Sequence, residues 1–258
     1  MKNKTAKQIV NSYRLACVLL ALLYIVVLVA LILVATYVNF LIAMIAIMLL
    51  GSSVRSSFEK LRKKYIESVI YEDLDPEKFG EILTISRFKK SAKHRMLYYL
   101  SSGKHDDVLA LVEEKEKKTT HPIDKCNNLY RIGYVHFERG EYDKLPEVFK
   151  KYEKIKKENP KFQYALNSFS VFDKFDAFAD EDYEYVLDVC NIDLSEIDTK
   201  KQNHKLTKIN VSFYRAVSLY KLERFDEAKE AFEEIIEFAP KMHKAQLSKE
   251  FLELIKTK

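Results

Sequence analysis

The sequence predicts an all-α protein in which an N-terminal two-helix transmembrane hairpin precedes a solenoid of helix pairs. Forty consecutive residues, 15–54, carry no charged side chain. The whole chain has only five glycines and five prolines, which leaves little material for the tight turns of β-hairpins. Beyond the uncharged run, apolar residues recur at helical spacing, which is typical of amphipathic helices. These three observations favour helices throughout.

The uncharged run is long enough to cross a bilayer twice. A transmembrane helix needs about 20 apolar residues, whereas one helix over the whole run would be about 60 Å long, twice the thickness of the hydrocarbon core. We therefore expect two spans, at about 13–35 and 38–54. The reversal is expected at Thr36, Tyr37 and Asn39, because a backbone reversal inside lipid would leave polar groups unsatisfied.

Basic residues crowd both ends of this run and predict its orientation. They are Lys2, Lys4, Lys7 and Arg14 before it, and Arg55, Lys60, Arg62, Lys63 and Lys64 after it. By the positive-inside rule both termini lie in the cytoplasm, and the chain is a two-span protein of the cell (plasma) membrane, most simply of a bacterium. A cleaved signal peptide is disfavoured because its apolar region has only about 7 to 15 residues. The lipid bilayer is thus one expected partner.

The net charge of +5 and the pI near 8.8 invite a nucleic-acid interpretation. The basic residues around the apolar run account for this charge, and the rest of the chain is slightly acidic. No nucleic-acid partner is therefore expected. Cys17, Cys126 and Cys190 are odd in number and far apart, which favours free thiols in a reducing compartment.

The sequence predicts four segments. They are a basic cytoplasmic N-terminus (1–14), the hairpin (15–54), a juxtamembrane helical linker (55–82) and a helical repeat domain (83–258). Within the linker, Asp75-Pro76-Glu77 predicts a helix start, with Asp as N-cap, Pro in the first helical position and an acid in the first turn.

The clearest repeat is the stretch 213–240, FYRAVSLYKLERFDEAKEAFEEIIEFAP, which divides into a helix, a short turn at Glu223 and Arg224, a second helix and a proline. It resembles a tetratricopeptide repeat, although Ser212 stands where that family has its early Trp. The positions that match are Ala216, Phe225, Ala228, Phe232 and Pro240.

A second copy covers 129–149, with Ile132-Gly133 as the hydrophobic and small pair and Gly140 at the turn; a weaker one covers 96–117, with Gly103 at the turn. We expect about three to four helix pairs and a C-terminal capping helix at 241–255. Between the clear copies, Phe162, Phe169, Phe172, Phe175 and Phe178 form an aromatic stripe that we interpret as a buried packing face rather than a cofactor site.

The resemblance implies protein binding, because such repeats present a concave face that captures a peptide or helix of another protein. The candidate partner groove consists of Tyr130, Tyr134, Phe137, Phe213, Val217, Tyr220 and Lys221. Alternatively, these aromatic residues fill a tightly wound superhelix. The predicted function is a membrane-anchored adaptor or scaffold; the alternative is an accessory subunit of a membrane complex whose main interface is the hairpin.

The sequence contains no motif that indicates catalysis. The stretch Ser102-Gly103-Lys104-His105 lacks the glycine and hydroxyl positions of a phosphate-binding loop. His121 and Cys126, like His94, His105, His136, His204 and His243, have no metal-ligand spacing. We therefore expect no enzyme activity, no cofactor, no metal and no small-molecule substrate.

Overall fold

The computed structural model of the chain describes residues 3–35, 40–198, 201 and 204–258, with the backbone alone for 34, 35 and 40–43. Lys2 and the predicted reversal at Thr36, Tyr37 and Asn39 lie outside the described residues. The described residues form helices and turns without a strand, so the all-α prediction is confirmed for them. They divide into two compact units, Met1–Ser91 and Ala92–Lys258.

The first unit has two long helices and two short ones: α1 (Ala6–Ala35), α2 (Phe40–Arg62), α3 (Ser68–Tyr71) and α4 (Pro76–Ile85). A π-helical turn, Lys63–Glu67, joins α2 to α3, and a 3-10 turn, Arg87–Lys90, follows α4. The predicted start of α4 is confirmed, because the Asp75 side chain accepts a hydrogen bond of 3.0 Å from the Lys78 amide and Pro76 opens the helix.

Helix α1 has a buried beginning and an exposed remainder. Ala6, Ile9, Val10 and Tyr13 are buried where α1 packs on α4 and on the π-helical turn. Most of the segment predicted as a basic N-terminus therefore forms the first turns of a packed helix. From Leu15 to Leu33 most of the large apolar side chains are exposed, and Val26 reaches 66%.

Helices α1 and α2 pack along each other in opposite directions. The Tyr24 hydroxyl lies 3.1 Å from the Ser53 hydroxyl and 2.9 Å from that of Ser57. Only one helix among the described residues, Ala6–Leu33, is long and apolar enough to cross a membrane. The helical hairpin is thus present, but its prediction as two membrane spans is not confirmed.

The second unit contains the remaining helices. They are α5 (Ala92–Ser101), α6 (His105–Glu116), α7 (Pro122–Glu138), α8 (Leu145–Glu158), α9 (Gln163–Asn167), α10 (Val171–Ala179), α11 (Tyr183–Glu196), α12 (His204–Lys221), α13 (Phe225–Phe238) and α14 (His243–Ile255). Consecutive helices pack as pairs α5–α6, α7–α8, α10–α11 and α12–α13, and α14 packs on α12 and α13. This is the arrangement of a helical repeat with a final capping helix.

In all four pairs the turn between the two helices has the same backbone conformation. A residue with positive φ follows each first helix: Gly103 (69°), Gly140 (70°), Glu181 (59°) and Glu223 (60°). The next amide then donates to the carbonyl five residues earlier, as from Lys104 to Tyr99 at 2.9 Å; the equivalent bonds after Gly140, Glu181 and Glu223 are 2.9, 2.8 and 3.0 Å long. This is the long bond of a Schellman motif, which ends a helix by satisfying its last carbonyls.

Helices α7 and α10 approach closely at Gly133, where a Cβ atom would lie 2.5 Å from the ring of Phe175. Phe172, Phe175 and Phe178 are buried. The part of the aromatic stripe on α10 is thus a packing face, and the small residue predicted in α7 makes room for it. Phe162 and Phe169, the other members of the predicted stripe, lie outside α10 and are half-buried.

Candidate functional site

The residues predicted to line a groove lie on α7 and α12, the first helices of their pairs. Tyr134, Phe137, Phe213 and Val217 are buried, Tyr130 and Tyr220 are half-buried, and Lys221 is exposed. The structure therefore places four of the seven in the interior and leaves three at or near the surface.

The buried rings connect α7 to α12 across the interior of the unit. The ring centre of Phe137 lies 4.5 Å from that of Tyr214 and 4.7 Å from that of Phe178. These distances are typical of edge-to-face aromatic pairs. The buried side chains therefore match the alternative interpretation, in which aromatic residues fill the interior of the superhelix. For Tyr130, Tyr220 and Lys221 the groove stays a prediction.

A charged pair lies among these rings. Lys244, at the start of α14, donates a hydrogen bond of 2.8 Å to Glu138 at the end of α7. The His105 ring, at the start of α6, lies 2.8 Å from the other Glu138 oxygen. The side chains of Glu138 and Lys244 are 0% and 2% exposed. Three helix ends from distant parts of the sequence therefore meet at one carboxylate.

Aromatic faces surround the Lys244 ammonium. It lies 4.6 Å from the ring centre of Tyr134, 4.5 Å from that of Phe213 and 5.7 Å from that of Tyr214. A cation over an aromatic face is attracted by the ring quadrupole, more strongly when water is excluded. The aromatic surface between α7 and α12 is thus occupied by a side chain of the same protein.

The ionisation of this cluster follows from burial and from its charges. Burial alone would raise the pKa of Glu138, but Lys244 and the hydrogen bond from His105 outweigh it and lower that pKa to about 2. Burial lowers the pKa of Lys244, although Glu138 opposes the change. Burial also raises the pKa of Tyr134 and Tyr214 well above the usual value. The carboxylate is therefore ionised, and the tyrosines neutral, at neutral pH.

The same cluster contains a set of metal-ligand atoms. One atom each of His105, Glu138 and His243 lies within 4.8 Å of the others, and the His243 Nε2 atom is buried without a hydrogen-bond partner. Two histidines and a glutamate suit zinc. The Lys244 ammonium, however, already neutralises Glu138, and a divalent ion beside a buried ammonium would be repelled. The ion pair accounts for the arrangement without a metal.

Sequence reasoning missed this cluster. His105, Glu138 and His243 lie far apart in the chain, so they show no ligand spacing. The only signal was the predicted capping helix, and nothing in its sequence indicates that its first turn enters the interior beside α7.

The cysteines of this unit are buried and have no disulfide partner. Burial raises the pKa of Cys126 to about 11 and that of Cys190 to about 12. Because the thiolate is the reactive form, both thiols are expected to be inert in the folded protein.

Comparison with protein families places one tetratricopeptide repeat in the chain, at residues 210–242. This match covers most of α12 and all of α13, and it confirms the resemblance predicted for 213–240. Comparison of the chain with curated proteins and with solved structures gave no significant match.

Proposed function

We propose that this protein is a membrane-anchored protein–protein interaction module, an adaptor or scaffold that holds a tetratricopeptide-like unit at the cytoplasmic face. The observation that carries the proposal is the tetratricopeptide match at 210–242, set in a series of helix pairs with the same turn. Repeats of this family generally bind peptides or helices of other proteins. No reaction is proposed.

The partner is proposed to bind at the end of α12 rather than between α7 and α12. Lys244 and the aromatic rings already fill the interior, whereas Lys221 is exposed. The Lys221 ammonium lies 5.1 Å from the ring centre of Tyr142, and half-buried Tyr220 packs edge-on against Phe251 at 5.1 Å. This edge combines a positive charge with aromatic surface, which suits an acidic segment that also carries apolar residues.

The exposed surface of α1 supports the membrane anchor. Leu15, Leu19, Leu23, Val26 and Leu33 are each more than half exposed. A helix from Leu15 to Leu33 is about 28 Å long, close to the thickness of about 30 Å of the hydrocarbon core. In water this surface would be an aggregation hazard, whereas in lipid it is stabilising.

The basic residues support a cytoplasmic position for both ends of the hairpin. Because α1 and α2 run in opposite directions, Lys7 and Arg14 lie at the same end of the pair as Lys60 and Lys63. Positive charge on one side of a membrane segment favours the cytoplasm. The repeat unit is therefore proposed to lie in the cytoplasm.

The alternative role, an accessory subunit that uses the hairpin as its interface, has one observation in its favour. Tyr24 links α1 to α2 through Ser53 and Ser57, so the two apolar helices form a hydrogen-bonded pair. Such a pair presents an ordered apolar surface to a neighbouring membrane protein.

Crosslinking in intact cells, followed by mass spectrometry, tests the adaptor role. The Lys221→Glu protein is compared with a matched control, Lys229→Glu, which makes the same charge change on the exposed face of α13. We expect Lys221→Glu to lose a crosslinked partner that the wild type and the control retain. Identical partners for all three proteins would contradict binding at this edge and would favour the hairpin as the interface.

Topology is tested with an introduced cysteine. Cys126 and Cys190 are buried, whereas Cys17 is only half-buried and is therefore replaced by serine. A membrane-impermeant maleimide should then label the exposed thiol of a Cys17→Ser/Lys229→Cys variant in preference to the two buried thiols. We expect labelling only after the cells are opened. Labelling from outside intact cells would overturn the cytoplasmic assignment.

A further inference from the structure

The first unit contains a cavity of about 640 Å³ between α1, α2 and the 3-10 turn that follows α4. Its volume lies in the range of about 300 to 1,000 Å³ that is usual for ligand sites. Val18, Ala21 and Phe58 line an apolar wall, and Arg14 and Arg87 also line the cavity. Apolar and cationic surface thus share one cavity.

The two arginines are held by neutral groups. Arg14 donates to the carbonyl of Ile85 at 3.2 Å, and Arg87 donates to the hydroxyl of Tyr13 at 3.4 Å. Neither has a carboxylate within ion-pair distance among the described residues. A guanidinium has five N–H donors, so each arginine retains donors for a ligand.

The position of the cavity along α1 indicates what could occupy it. Tyr13 is the last buried residue of the packed beginning of α1, and the exposed apolar stretch starts at Leu15. Arg14 stands between them, and Val18 and Ala21 continue the cavity along the exposed stretch. The charged part of the cavity therefore lies where the proposed membrane surface would be, and its apolar part leads toward the membrane interior.

We propose that this cavity binds one anionic phospholipid of the surrounding membrane. Arg14 and Arg87 hold the phosphate of its headgroup, and Val18, Ala21 and Phe58 contact its acyl chain. The planar guanidinium donates two parallel hydrogen bonds to phosphate oxygens, a geometry that an ammonium does not offer. This inference rests on the proposed membrane anchor.

Lipid retention by the full-length protein tests the proposal. The protein is extracted in mild detergent from membranes of phosphatidylglycerol and phosphatidylcholine, and the lipid that remains bound is counted by native mass spectrometry. We expect about one phosphatidylglycerol per chain in preference to phosphatidylcholine. The Arg14→Gln/Arg87→Gln protein should lose this preference by roughly tenfold or more.

The matched control is Arg55→Gln/Lys63→Gln, which removes the same charge from exposed positions outside the cavity. Basic residues near a membrane attract anionic lipid diffusely, so the control is expected to lose only that part of the preference. An Arg14→Lys/Arg87→Lys protein keeps the charge but lacks the planar guanidinium groups. Its preference for phosphatidylglycerol should lie between that of the wild type and that of the Arg14→Gln/Arg87→Gln protein. Circular dichroism checks that every variant keeps its helices.

Two results would overturn the lipid site while leaving the anchor intact. The first is an equal loss of preference in the cavity variant and in the control, which would mean diffuse surface attraction. The second is retention of phosphatidylcholine as readily as phosphatidylglycerol by the wild type. A wild-type protein that is recovered without membranes, in the soluble fraction, would instead overturn the anchor itself, and the lipid site with it.

Discussion

Glu138 and Lys244 form the buried ion pair that holds the first turn of α14 against the end of α7. Taking both charges out of water is costly, so the pair is stable only because each charge compensates the other. His105 and the rings of Tyr134 and Phe213 supply the remaining contacts. Losing one partner should therefore harm the fold more than losing both.

A Lys244→Met substitution should lower the unfolding free energy of the repeat unit by about 3 to 5 kcal/mol, because it leaves the Glu138 carboxylate buried without a counter-charge. A Glu138→Leu/Lys244→Met protein should recover much of this loss. The unfolding free energies of both proteins are measured in urea, with the exposure of the buried Cys190 thiol as the signal of unfolding. Lys249→Met, a solvent-exposed change on the same helix, is the control; an equal effect of the two single substitutions would contradict the role of the pair.

The ion pair also predicts a loss of stability in acid. The pKa of Glu138 is about 2 in the folded protein and about 4.3 when unfolded. A carboxylate with a lowered folded pKa stabilises the fold above its unfolded pKa, and this contribution disappears as the pH falls through the folded value. We expect the unfolding free energy to fall by about 3 kcal/mol between about pH 5 and pH 2 through Glu138.

Unfolding of the wild type and of Glu138→Gln/Lys244→Met across this pH range isolates the contribution of Glu138, because the other carboxylates titrate in both proteins. The stability difference between the two should shrink as the pH falls. A difference that stays constant would mean that Glu138 does not titrate with folding.

At the scale of the elements, the turns between paired helices were the most predictable feature. Gly103 and Gly140 mark turns because glycine adopts positive φ without strain, and both were recognised in the sequence. Glu181 adopts the same positive φ in the pair α10–α11, but a glutamate does not indicate a turn in the sequence. The helices themselves follow from apolar spacing, whereas no glycine marks the positive φ of the third turn.

Gly103 and Gly140 have nearly equal φ but different surroundings. A Cβ atom on Gly103 would lie 2.4 Å from the ring of His243, whereas one on Gly140 would meet nothing within 4 Å. We expect Gly140→Ala to lower the unfolding free energy by about 1 kcal/mol through backbone strain alone. Gly103→Ala should lower it by about 1 to 3 kcal/mol more, because the added Cβ clashes with α14. Urea unfolding of the two variants measures the difference, and equal costs would show that α14 moves away easily.

At the scale of the whole molecule, composition and apolar periodicity predicted the helical class and the antiparallel pair of N-terminal helices, and the resemblance to a tetratricopeptide repeat predicted the repeat at 213–240. They could not predict that Ile9 and Tyr13 belong to a packed core, because the basic residues around them suggested a surface segment. Nor could they predict that Lys244 occupies the space between α7 and α12. Both facts depend on contacts between residues that are distant in sequence, which no local pattern encodes.

The exposed apolar surface of α1 gives a prediction about the whole chain. Leu19 and Val26 are 59% and 66% exposed, so replacing them should not disturb internal packing. An arginine in the middle of a membrane span costs about 2.5 to 3.5 kcal/mol in insertion assays. We expect Leu19→Arg/Val26→Arg to be lost from the carbonate-resistant membrane fraction.

Ile192→Arg is the matched control, because Ile192 is 60% exposed on α11 in the repeat unit. It makes the same apolar-to-arginine change outside the proposed membrane segment, so its fractionation should match that of the wild type. Equal membrane retention of all three proteins would mean that α1 is not embedded in lipid. Loss of both variants would instead indicate a general intolerance of surface arginine, since only the α1 substitutions are expected to oppose insertion.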